Sequence, residues 1–95
     1  MKKFELGQTV MTQGIQSLCD NNDLFHSKMM VCLQRHQSGD WGDMPTEDKK
    51  DNDQSLIPMY QGRLFSAYDD VEGTKIWIIT EWDRSVTTIL LPKEY

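Results

Sequence analysis

The sequence predicts a single α+β domain over residues 1–95, with two to three N-terminal helices packed on one face of a three- to four-stranded antiparallel β-meander. Three observations carry this. Phe25, Met29, Cys32, Leu33 and His36 recur at three- and four-residue steps, which is one buried helical stripe. The second half holds β-branched and aromatic runs, residues 63–68, 76–82 and 86–91, separated by turn formers. Ninety-five residues with 38% hydrophobic side chains suffice for one core and no more.

In chain order, Gln8-Thr9-Val10-Met11 reads as a short strand, and Thr12 as the N-cap of a first helix whose Ile15, Leu18 and Cys19 share a side. Asp20-Asn21-Asn22 ends it, because these side chains compete for backbone hydrogen bonds. Asp23 is expected to cap a second helix that runs to about Gln37, with Gly39 as its stop. A loop around Trp41 follows. Residues 46 to about 56 then form a third helix, with Glu47 and Asp48 at the positive end of its dipole. Asp48, Asn52 and Leu56 are the face it offers, so it docks weakly or through hydrogen bonds. Pro58 and Gly62 break the chain before the strands. The run Ile76-Trp77-Ile78-Ile79 is apolar on both faces, as a central strand should be, and Asp69–Thr74 and Asp83-Arg84 supply hairpin turns.

The net charge of −5 argues against direct nucleic-acid binding through a basic face. Six carboxylates and two lysines in residues 40–53 account for four of the five net charges. As a helix this stretch would span roughly 21 Å, where duplex DNA carries about twelve charges, so a solvated acidic face, or a patch for a basic partner, fits better than DNA mimicry. No apolar stretch is long enough to cross a membrane, and Met1-Lys2-Lys3-Phe4-Glu5-Leu6 lacks the apolar core of a signal peptide, so a cytoplasmic protein is expected. Cys19 and Cys32, thirteen apart, are expected as buried free thiols.

Reactive side chains are densest in Arg35-His36-Gln37-Ser38-Gly39-Asp40-Trp41-Gly42-Asp43. His36 is a candidate general base, Ser38 a nucleophile, and Asp40 or Asp43 an orienting or metal-binding carboxylate, with Arg84 at the β-hairpin tip as a further candidate for the same cluster. The bland alternative keeps His36 in the core stripe, Trp41 as an anchor and Asp43 as a helix cap. Ser38 lies in no nucleophile elbow, and no metal or cofactor motif is present, so neither metal nor cofactor is expected. As a binding surface the candidates are Ser38, Asp40, Trp41, Asp43, Asp48 and Asn52.

The His36–Asp43 run, Asp48, Asn52, Gly62-Arg63-Leu64-Phe65-Ser66-Ala67-Tyr68 and the stretch from Lys75 through Glu81-Trp82-Asp83-Arg84 to Pro92 together resemble a family of small uncharacterised bacterial proteins. These occur on plasmids, integrative elements and prophages, and some carry a type I restriction-modification label. The chain departs from that pattern at Trp82, where the family has a small residue, and at Gln13, near which a proline is frequent. The resemblance implies a setting in mobile genetic elements and no particular reaction. Two readings follow: an interaction protein, anti-defence or regulatory, that binds a protein partner; or a small nuclease-like hydrolase built on His36, Asp40 and Arg84. Oligomeric state is left open.

Overall fold

A computed structural model describes residues 1–95 as β1 (Gln8–Met11), α1 (Gln13–Asn21), α2 (Asp23–Gln37), α3 (Thr46–Ser55), β2 (Leu64–Val71), β3 (Thr74–Thr80) and β4 (Val86–Leu90). The sheet order is β1-β4-β3-β2. Strands β2, β3 and β4 form the expected antiparallel meander with β3 inside. The first strand departs from it: β1 adds to the far side of β4 in parallel, Gln8 opposite Val86 and Met11 opposite Ile89. A parallel neighbour needs a long crossover, and everything between β1 and β4 serves as one. No helix is long and apolar enough to cross a membrane.

Alternation along the strands divides the sheet into two unlike faces. Ile76, Ile78 and Ile89 point to one face, where Ile15, Cys19, Phe25, Met29, Cys32 and Leu33 of α1 and α2 cover them to make the core. The α2 stripe is thus buried as its spacing implies. Both thiols are free and buried there, and burial pushes their pKa values up, leaving them inert. Phe65, Ala67, Lys75 and Trp77 point to the opposite face. There Phe65, Trp77 and Tyr95 stack edge-to-face or tilted, with centroids 5.0–6.3 Å apart.

Cap chemistry differs from expectation at three helix starts. Asn22, not Asp23, caps α2, its Oδ1 accepting the Phe25 N–H at 3.1 Å. Thr12 sits at the α1 N-cap position, but its hydroxyl donates to Glu94 instead of to the helix. Pro45 takes the N-cap position of α3, and Asp43 is turned toward β2. At α1 and α3 a long-range partner outcompetes the local one, whereas at α2 the cap is local and lies one residue earlier than expected. The β2–β3 turn is Glu72-Gly73, both at positive φ (52° and 77°), the type I′ geometry that matches strand twist.

Candidate functional site

His36 is fully buried on the inner face of α2 and both ring nitrogens are engaged. Nδ1 lies 2.5 Å from Ser66 Oγ, and Nε2 lies 2.9 Å from Thr80 Oγ1. Thr80 Oγ1 is 2.7 Å from Thr87 Oγ1, which donates to the Leu6 carbonyl at 2.7 Å. The last acceptor fixes every direction in this relay. Leu6 O can only accept, so the Thr87 hydroxyl is spent on it and must accept from Thr80. Thr80 in turn accepts from Nε2–H, and Ser66 donates to Nδ1. One neutral tautomer satisfies all five groups. Burial, with the Arg84 charge adding to it, pushes the imidazole pKa down to about 3.

The other residues of the polar run serve the architecture as well. Trp41 is 3% exposed, its ring against Phe4 and His36, and its Nε1–H donates to Asp53 at 2.9 Å. Ser38 closes α2 by donating to the Arg35 carbonyl. The exposed Asp40 carboxylate takes Arg35 in a two-point pair at 2.7 and 3.2 Å and also accepts the Gly42 N–H. Arg35 beside it holds the Asp40 carboxyl below its ordinary value. Arg84, at φ 60°, pairs with no carboxylate: its guanidinium donates to the carbonyls of Gly62, Glu81 and Ser55 and lies over the Phe4 ring. It staples the 55–62 loop to the β3–β4 turn. Burial pulls its pKa down. Trp82 on that turn is 63% exposed.

Asp43 and Asn52 act together on the outer edge of β2. Asn52 is buried, and its side chain imitates a strand, donating to Phe65 O at 2.8 Å and accepting Phe65 N–H at 3.1 Å. The loop continues the imitation. Ala67 N–H donates to Trp41 O, Asp43 N–H donates to Ala67 O, and Asp69 N–H donates to the Asp43 carboxylate. Gly42 (φ 72°) is required at this bridge, because a Cβ there would sit 2.2 Å from Ala67 O. The exposed edge is thereby occupied by side chain and loop.

This docking opens a cavity of about 570 Å³ between α3 and the outer sheet face. Phe65, Ala67 and Trp77 form its floor, Met44 and Pro45 one end, and Asp48, Asp51 and Asn52 the α3 wall. Asp43, Asp69 and Lys75 complete the rim. Four carboxylates thus face one ammonium. Asp69 lies 3.9 Å from Lys75, while Asp48 and Asp51 have no cationic partner in the chain. Nowhere do three His, Cys, Asp or Glu side chains lie close enough together to hold a metal ion.

Of the sequence candidates, Asp43, Asp48 and Asn52 line this cavity; Ser38, Asp40, Trp41, His36 and Arg84 do not. His36, Asp40 and Arg84 share no pocket: one is sealed in the core, one faces solvent beside Arg35, and one is tied to backbone. The sheet residues Phe65, Trp77, Asp69 and Lys75 were not among the candidates. Period-two alternation with the β2–β3 register was the signal that puts them on one face. Comparison with models of known protein families, with curated proteins and with solved structures finds no match to this chain.

Proposed function

We propose that the chain is a non-catalytic interaction protein that binds a basic protein partner through the groove between α3 and the outer face of β2 and β3. The observation that carries this is the pairing of an aromatic floor with a rim of four carboxylates against one lysine. Aromatic surface is favoured at the centre of protein interfaces, and a charged rim steers an oppositely charged partner. The resemblance to proteins of plasmids, integrative elements and prophages suggests that the partner is a host or element protein and the role anti-defence or regulatory. The hydrolase reading gains nothing from the placement of its three residues, because His36 offers no nitrogen to a substrate.

The test compares the native chain with an Asp48→Lys/Asp51→Lys variant as bait in bacterial extract, followed by reconstitution with the purified captured protein. Binding should weaken at least about tenfold in the variant, equivalent to ~1.4 kcal/mol, and should weaken with salt. Equal affinity for both forms, or cleavage of nucleic acid by the purified native chain, would overturn the reading.

A further inference from the structure

Resting on that interaction reading, we infer that the groove seats one arginine side chain of the partner, its guanidinium over the Phe65–Trp77 floor and its N–H donors on the Asp48 and Asp51 carboxylates. The cavity of about 570 Å³ is far larger than a bare ion requires, and its carboxylates are too widely spaced to converge on a metal. The occupant that suits it is a flat, weakly hydrated organic cation with several donors. A guanidinium stacks on aromatic faces and bridges carboxylates, where an ammonium acts as a strongly hydrated point charge.

The molecule uses the same arrangement twice with its own residues. Arg35 lies 4.8 Å over the Tyr68 ring while paired with Asp40. Arg63 lies 5.9 Å over the Tyr95 ring while facing Glu81 at 3.5 Å. In the groove the ring and carboxylate partners are present and the guanidinium is not supplied by the chain. Lys75 is the one cation there, exposed and loosely held by Asp69, so it competes with the incoming charge.

The probe is a capped Ala-Gly-Arg-Gly-Ala peptide titrated into the ¹⁵N-labelled full chain, with citrulline and lysine peptides as comparisons. The Trp77 indole N–H and the Asn52 side-chain amide should shift saturably with the arginine peptide, at a Kd of about 1–10 mM for one such contact. Citrulline, which keeps the shape and loses the charge, should bind at least about fivefold more weakly, as should lysine. Asp48→Asn/Asp51→Asn should weaken binding with an unchanged melting temperature, and Lys75→Gln should strengthen it. Equal binding of citrulline or lysine, shifts mapping outside the groove, or no groove shift by about 20 mM peptide overturns the assignment. Partner capture that depends on Asp48 and Asp51 without an arginine response would overturn this inference and leave the interaction reading standing. Arginine binding without any groove-dependent protein partner would do the opposite.

Discussion

His36 carries its free energy in its protonation state. Its ring must stay neutral, because protonating Nδ1 would turn an acceptor toward a Ser66 hydroxyl into a donor, in a site with no carboxylate to receive the charge. The folded pKa near 3 lies below the ordinary 6.5, so from about pH 6.5 down to 3 the unfolded chain binds a proton that the folded chain refuses. Stability from this group is complete above pH 6.5 and is lost as the pH falls, by about 1.4 kcal/mol per unit once the unfolded imidazole is charged. The carboxylates held below their ordinary values, Asp40 among them, lose their contribution in the same direction but at lower pH. Denaturant unfolding between pH 6 and 5 therefore isolates the histidine. The native protein should show nearly the full slope and His36→Gln almost none, on top of a loss of roughly 1–3 kcal/mol at pH 7 from the broken relay. Equal slopes in both proteins would mean that the imidazole is reached by solvent.

Among the elements, α3 is held least by hydrophobic burial and most by one amide. Asn52 is its only buried residue, and the helix otherwise shows polar side chains to water. Hydrogen exchange over Thr46–Ser55 should open at a free energy well below that of β3. Asn52→Ala should remove the remaining protection in α3, destabilise the fold by about 1–3 kcal/mol, and uncover the Phe65 edge of β2, which would appear as concentration-dependent association. Protection in α3 equal to that of β3 would show that the groove wall is anchored by something other than Asn52. How far each element was legible follows from the range of the interactions that make it. The α2 stripe and the β3 run repeat every few residues, so the sequence displayed them. That α3 docks through hydrogen bonds followed from its lack of apolar residues. The edge strand β1 offered four residues of weak pattern, and its neighbour β4 lies almost eighty positions away. Asp43 before a helix looked like a cap, and only the approach of β2 reveals its other partner. The groove was half legible: its acidic wall is contiguous in sequence, whereas its aromatic floor comes from alternate positions of two strands that register alone aligns.

The molecule as a whole joins local and distant contacts in an order that folding kinetics can resolve. The β2–β3 hairpin closes through a two-residue turn, so it can form early with little loss of chain entropy. The β1–β4 pair needs nearly the whole chain in place, and Met11 packs against the core only when that pair exists. Glu94 reinforces the late step, accepting from Thr12 Oγ1 and from the Gly14 and Leu91 N–H groups, and so ties the last turn to the start of α1. Gly73→Ala forces a side chain into a residue at φ 77° with open space around it, so its penalty is conformational and belongs to the hairpin turn. It should slow folding and leave unfolding nearly unchanged, a φ-value above about 0.5. Met11→Ala should do the reverse, speeding unfolding with a φ-value below about 0.3. Stopped-flow chevrons for the two variants and the native chain decide the matter, provided that each loses more than about 0.6 kcal/mol. A high φ-value at Met11 would place the parallel pair in the transition state, and the meander would then assemble on a preformed junction of first and last strands.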